Sequence, residues 1–431
     1  MRLLQFNLIK KSKFKMQNYH RKCGIPLRRD KSNFKIINFS LTFYILHFAF
    51  YILVGLIVMP SKVVAITDPL NVPNNKYGIH ITDENDLVNA AALVNSSGGD
   101  WGYVTLVMRQ DQRNKQLWDS VFDKMRQFHL IPIIRIATRL QGDTWVKPFD
   151  TDINEWVEFL ANLNWVTKNR YIILFNEPNH AKEWGNSLDP GEYASLTKLI
   201  AQKLKNRSDD FFILPAGLDA SAPLGKVTLD EETFLRRMLS AEPEYFNYID
   251  GWTSHSYPNP GFSGRIRDSG KGTLRTFLWE KKLLKSLGVD KNLPIFITET
   301  GWAHKEGSLS SSRFYTAEVV ADLIYYAADS IWQDPSIVAV TPFILNYQTF
   351  PFSQFSWQMA ETELFYPQFD VYRSIVKVAG TPYLEVTPTP IPSITPTQVL
   401  SLNTSSELNN NTFLNKFIVK IKQLLLAVKF R

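Results

Sequence analysis

Eight short apolar runs, separated by stretches with helical periodicity and recurring every 25–45 residues, predict an α/β chain closed as a (β/α)8 TIM barrel across residues 76–382. The runs are continuously apolar rather than alternating, which implies strands buried on both faces. Strands that alternate with helices pair in parallel through right-handed crossovers. An open doubly wound sheet alternates in the same way, but eight units fit a closed barrel better. The first turn, YGIHITDENDL (77–87), also lacks the glycine-rich sequence of a dinucleotide fold.

In chain order the strands are expected at YGIHIT (77–82), YVTLVM (103–108), IPIIRIA (131–137), YIILF (171–175), FFILPAG (211–217), YIDGWTSHSY (248–257), LPIFITET (293–300) and IVAVTPFIL (337–345). Amphipathic helices fill the gaps. In LWDSVFDKMRQF (117–128) the residues Leu117, Val121, Met125 and Phe128 share one helical face. DPGEYASLTKLIAQKL (189–204) opens with an Asp-Pro start signal. The last helix is expected in FDVYRSIVKVAG (369–380).

Outside the barrel, residues 1–35 form a basic n-region, and residues 1–37 carry a net charge of +10. An apolar segment follows at 36–60, and 36–59 contains no Asp, Glu, Lys or Arg in 24 residues. That length crosses a bilayer, and the flanking charge puts the N-terminus inside and the barrel outside. Val63-Val64-Ala65 offers a cleavage site, so both a signal-anchor and a signal peptide cut after Ala65 are open. The run is long for a signal peptide, which favours the anchor. An extracytoplasmic protein, membrane-anchored or secreted, is expected either way.

After the barrel, 383–412 is a Thr/Pro-rich linker with no means of packing a core. Residues 413–431 set Phe417, Ile421, Leu424, Leu425 and Val428 on one stripe among lysines. This is either a basic amphipathic helix for an anionic membrane surface or a partner-binding tail.

The overall charge of +7 does not mark a nucleic-acid binder, because residues 63–382 alone carry a net −7. No GxxxxGK[ST] loop occurs. The single cysteine, Cys23, lies ahead of the apolar segment, which excludes an intramolecular disulfide and any CxxC metal site. No metal or cofactor is expected, and a monomer is.

In a barrel of this class, reactive groups collect at the C-terminal ends of the strands. The fourth run ends in Asn176-Glu177-Pro178 and the seventh in Glu299. Strands four and seven stand on opposite sides of the mouth, so the two carboxylates can face each other across a cleft. Facing carboxylates with one proton between them are the minimum for cleaving a glycosidic bond. The acid needs burial or a like charge to keep its proton, and the nucleophile needs donors to stay ionised. SHSYPNP, at the sixth strand end, supplies His255 and Tyr257, two residues apart on one side of an extended chain.

FNEPN and ITETGW, with HSYPN between them, resemble the retaining glycoside hydrolases of the large barrel clan, which takes in β-xylosidases, cellulases, β-galactosidases and exopolysaccharide hydrolases. The resemblance covers about residues 76–380. It implies Glu177 as acid/base, Glu299 as nucleophile, Asn176 as ligand of the substrate 2-hydroxyl, Tyr257 as donor to the nucleophile and His255 as a polar support. The substrate would be a poly- or oligosaccharide. Many members place a tryptophan at the end of strand eight to floor the sugar site. Here that run ends FILNYQTF, and the next tryptophan is Trp357. Trp302 is then a candidate for stacking, or for packing the seventh helix. Arg135 and Arg109 are candidates for substrate hydroxyls or for fixing a carboxylate, and His80 for a subsite. Two other readings use the same residues: a transglycosidase acting on envelope glycans, and a catalytically silent carbohydrate-binding barrel.

Overall fold

The computed structural model describes residues 66–307 and 311–385. The n-region, the apolar segment 36–60, the linker from 386 onward and the tail 413–431 therefore lie outside the described residues. Among the described residues, no helix is long and apolar enough to cross a membrane.

Eight parallel strands build the core: β1 Gly78–His80, β2 Gly102–Arg109, β3 Leu130–Ala137, β4 Arg170–Leu174, β5 Phe211–Pro215, β6 Trp252–His255, β7 Ile295–Glu299 and β8 Ile337–Val340. β1 to β5 are hydrogen-bonded in chain order, and β8, β7 and β6 form a second set. The longest ladder runs from Gly102 opposite Leu130 to Arg109 opposite Ala137. Two seams close the ring. Tyr77 bridges Val340 in parallel, and the His80 N–H donates to the Pro342 carbonyl at 3.1 Å. Asp219 bridges His255 in parallel, and the Asp250 N–H donates to the Ile213 carbonyl at 2.9 Å. The result is the predicted barrel, established by strand pairing alone.

Ile, Val and Leu make these runs strands because branched side chains pack well on a pleated surface buried on both sides. Ile133, Ile134 and Ile136 in β3 and Ile172 and Leu174 in β4 are fully buried. The interior is filled rather than hollow: Tyr171 lies 5.0 Å from Phe212 and 5.3 Å from Phe296 between ring centroids. β8 stops at Val340, short of the expected 345, because Pro342 has no N–H for a ladder. β6 begins only at Trp252, since Tyr245–Tyr248 forms a tight helical turn before it.

Helices cover the outside: α1 Leu87–Val94, α2 Lys115–Gln127, α3 Asp150–Ala161, α4 Pro190–Arg207, α5 Glu231–Ala241, α6 Thr276–Ser286, α7 Ala317–Asp329 and α8 Pro367–Ser374. Side-chain caps fix several starts. Asn114 accepts from the Leu117 N–H at 3.1 Å ahead of α2, and Asp189 accepts from the Glu192 N–H at 2.9 Å ahead of α4, where Pro190 takes the first helical position as expected.

Two helix expectations need correction. In α2 the buried face is Trp118, Val121, Phe122 and Met125, while Leu117 is 43% exposed. The large aromatics bury more apolar area than Leu117 does, so they rotate the helix toward their own stripe. α8 ends at Ser374 and does not reach Gly380. There the Lys377 ammonium donates to the carbonyls of Tyr372, Arg373 and Ile375, taking acceptors left free at a helix C-terminus.

Both ends of the described chain meet beneath the barrel, at the start of β4. Asn169 Nδ2 donates to the Thr67 carbonyl at 2.7 Å, and the Lys168 N–H to the Tyr383 carbonyl at 2.8 Å. The opposite face, where β4 and β7 end, is left for the site.

Candidate active site

β4 delivers its two polar residues through an unusual backbone. Phe175 and Glu177 hold φ of +71° and +32°, a region that costs energy for residues with a Cβ. The turn is secured by the Glu177 N–H donating to the Gly217 carbonyl at 3.0 Å and the His180 N–H donating to the Glu177 carbonyl at 2.8 Å. Pro178 then prevents further strand pairing. The strand end thus aims Asn176 and Glu177 into the mouth.

Facing them, β7 ends in Glu299, 8% exposed. Arg135, on β3, gives Nη1 to Glu299 Oε1 at 2.6 Å and to Asn176 Oδ1 at 2.5 Å. Tyr257, beyond β6, donates its hydroxyl to Glu299 Oε2 at 3.1 Å. His255 Nδ1 lies 2.7 Å from Glu177 Oε1 and 3.8 Å from Glu299 Oε2. Gly217 makes room for that ring, since a Cβ there would fall 2.2 Å from His255 Cδ2. One donor atom from each of Glu177, His255 and Glu299 lies within 4.8 Å of the others.

The electrostatics divide the two carboxylates. Burial pushes the Glu299 carboxyl up, but His255 and Arg135, with the Tyr257 hydroxyl, outweigh it and hold it at about 2. Burial works against a charge on His255, yet Glu299 and Glu177 raise its pKa above the ordinary histidine value. His255 Nδ1 is already paired with Glu177 Oε1, and the Arg135 guanidinium occupies one oxygen of Glu299. The triad has chelating geometry, and its oxygens already have partners in Arg135, Tyr257 and His255.

The expected residues do not all reach the cleft. His80 is 1% exposed, packs edge-on against Phe343 at 5.1 Å, and is held neutral, near 3, by burial and by Arg135. It lies beneath the pair rather than in a subsite. Trp302 is 2% exposed and donates its indole N–H to the Gly264 carbonyl at 3.1 Å, so it packs the barrel and presents no ring face to a sugar. Trp357 is likewise buried, edge-on to Tyr372 at 5.3 Å. Arg109 pairs with exposed Asp111, two residues on, away from both carboxylates. In each case a closer partner or a tighter packing niche takes the side chain.

Two groups near the pair were not anticipated. Glu183, on the turn Ala181–Glu183, accepts from Asn176 Nδ2 at 3.3 Å, and burial followed by the Glu177 charge pushes its carboxyl up to about 7. His180 Nε2 lies 2.9 Å from Asp219 Oδ2. Both belong to irregular segments, where no period marks an inward-facing residue.

No protein-family profile and no curated protein matches this sequence. Among solved structures, the chain resembles a GH128 (subgroup II) endo-β-1,3-glucanase from Pseudomonas viridiflava at 13% identity, covering 72% of this chain and 98% of that one, with a TM-score of 0.45. It also resembles GH5_18 from Streptomyces cattleya at 13% identity, covering 70% and 79%, with a TM-score of 0.47. A β-mannanase from Thermomonospora fusca shares 13% identity over 66% and 83%, with a TM-score of 0.41. These likenesses are distant, and the reading of the site rests on its own geometry.

Proposed function

We propose that this chain is a retaining glycoside hydrolase acting on O-glycosidic bonds of a poly- or oligosaccharide. One observation carries the reading: two glutamates stand at the ends of opposite strands with one carboxylate oxygen of each within 4.8 Å of the other, and they have unlike partners, Arg135 and Tyr257 on Glu299 and His255 on Glu177. Separations of about 5–5.5 Å suit double displacement, whereas about 6.5–9.5 Å leaves room for the water of an inverting enzyme. The short approach supports retention.

In this reading Glu299 attacks the anomeric carbon. The glycosidic C–O bond breaks, its electron pair stays on the departing oxygen, and Glu177 supplies that oxygen with a proton. Glu177 then takes a proton from water, whose oxygen displaces Glu299 and releases the sugar. The 2.7 Å contact between His255 and Glu177 keeps a proton within reach of the acid/base. Arg135 positions Asn176 for the substrate 2-hydroxyl while holding Glu299 ionised. The protein works outside the cytoplasm, anchored by its N-terminal segment, or secreted if that segment is cut after Ala65.

Hydrolysis of a glycoside panel by the full chain, followed by proton NMR of the first-formed product, tests this. The expected result is a product anomer matching the substrate. The opposite anomer would overturn retention, and tight glycan binding without turnover would overturn hydrolysis.

A further inference from the structure

The carboxamide of Asn176 has two unlike ends, and only its neighbours decide which way each end faces. Arg135 decides one of them: a guanidinium only donates, and its Nη1 meets Asn176 Oδ1 at 2.5 Å. Glu183 takes the other, where Asn176 Nδ2 donates to Glu183 Oε2 at 3.3 Å. The same Arg135 Nη1 reaches Glu299 Oε1 at 2.6 Å. A single chain of hydrogen bonds thus runs from Glu183 through Asn176 and Arg135 to Glu299.

Glu183 is brought to that chain by a turn with little freedom. The Ala181 N–H donates to the Val227 carbonyl at 2.9 Å, and the Glu183 N–H to the His180 carbonyl at 3.0 Å. Trp184, the next residue, is buried and gives its indole N–H to Glu192 Oε2 at 2.9 Å. The Gly185 N–H donates to the Trp145 carbonyl at 2.8 Å, which ties the turn to the segment between β3 and α3. Trp145, Phe175 and Trp184 wall the space beside Glu183, a cavity of about 20 Å³ with room for roughly one water molecule.

An acid in a surface turn ordinarily faces water. This one is turned inward, where burial and the Glu177 charge push its carboxyl up to about 7. Glu177, Glu299, Arg135 and His180 are the charged and titratable groups that act on it or feel it. Lys182 is paired with Asp143 and Lys147 with Glu192, so each nearby lysine has a carboxylate of its own. Among the described residues, Asn176 is the hydrogen-bond partner of the Glu183 carboxylate. A carboxylate held inward at that cost, and aimed at a mouth residue, points to a role at the mouth rather than in the turn.

We propose that Glu183 is a positioning residue of the reaction: by accepting from Asn176 Nδ2 it locks the carboxamide against Arg135 and leaves the second Nδ2 hydrogen for the substrate 2-hydroxyl. It acts through Asn176 and touches no reacting atom. Without an acceptor at this place the carboxamide is free to rotate, and the 2-hydroxyl loses an oriented donor. This rests on the glycosidase reading above, with Asn176 as the ligand of that hydroxyl.

The test uses the full chain and 4-nitrophenyl glycosides of one to three glucose, xylose, galactose or mannose units, in both anomers. Each is made with and without the 2-hydroxyl on the unit that carries the nitrophenyl group, and the readout is the ratio of kcat/KM, hydroxylated over deoxygenated. Glu183→Leu keeps the bulk and removes the acceptor, and its ratio is expected to fall about tenfold or more. Glu183→Gln keeps a carbonyl acceptor without the charge and is expected to recover most of the ratio. In Asn176→Ala the ratio is already low, and adding Glu183→Leu is expected to lower it no further. Circular dichroism and Tm show which variants are folded. A purely structural role would slow both substrates alike, so an unchanged ratio in folded Glu183→Leu overturns the proposal. A Glu183→Gln ratio as low as that of Asn176→Ala overturns it as well, as does a wild-type ratio near one. A wild type that cleaves none of these glycosides overturns the glycosidase reading, and this inference falls with it.

Discussion

The barrel holds two pairs of neighbouring glutamates, and their surroundings differ. At the mouth, Glu177 and Glu299 meet Arg135, His255 and the Tyr257 hydroxyl, and the Glu299 carboxyl is held at about 2 despite its burial. In the wall, Glu231 at the start of α5 and Glu280 in α6 are both fully unexposed. Burial, and then each other's charge, pushes Glu231 well up; burial alone is the main cause of the rise in Glu280. Lys271, which acts on Glu231, is itself paired with Asp230. The same residue type has its carboxyl held below the ordinary value at Glu299 and pushed above it at Glu231 and Glu280. What separates them is the supply of cations and donors, not depth.

The contrast breaks most sharply at Glu299. Glu299→Gln should lower kcat by about 10⁴-fold or more, since removing one member of a concerted catalytic set costs nearly as much as removing all. Glu177→Gln should lower kcat on sugar leaving groups by about 10²–10⁴-fold, the usual worth of general acid catalysis, and much less on glycosyl fluorides, which leave without a proton. Arg135→Gln removes the cation that opposes burial at Glu299, so the acid limb of the pH–rate profile should move to higher pH. A profile that stays in place would show that Arg135 does not control the nucleophile.

Stability should respond in opposite senses at the two pairs. The lowered carboxyl of Glu299 favours the fold above its unfolded value of 4.5, a gain lost as pH falls toward about 2. The raised carboxyls of the wall pair make the folded state bind more protons than the unfolded chain, so their penalty grows as pH rises above 4.5. Glu231→Gln should therefore raise Tm at pH 8 more than at pH 5, with kcat nearly unchanged. A fall in Tm at pH 8 would sink this account of the wall pair. The smallest effect is expected at Arg109→Ala, where an exposed ion pair is worth at most about 1 kcal/mol, with no change in kcat.

The two pairs were also unequally legible in the sequence. Glu177 and Glu299 stand out because each follows a run of branched apolar residues, where a charge contradicts the strand's own pattern. His255 and Tyr257, two residues apart, each reach a mouth carboxylate. Glu231 and Glu280 give no such signal: an acid in a first helical turn looks like a partner for the helix dipole, and one inside a helix looks like a solvated face. Trp302 and His80 show the limit of strand-end reasoning. It finds the right edge of the barrel but not which residue there faces outward, because packing against the neighbouring chain decides that.

The central claim is that Glu299 is the nucleophile of a double displacement. Incubating the full chain with activated 2-deoxy-2-fluoro glycosides and mapping the labelled peptide tests it most directly, because the fluorine slows release of any covalent intermediate. A mass gain of one fluoroglycosyl unit on Glu299 is predicted, and a label on any other residue would contradict it.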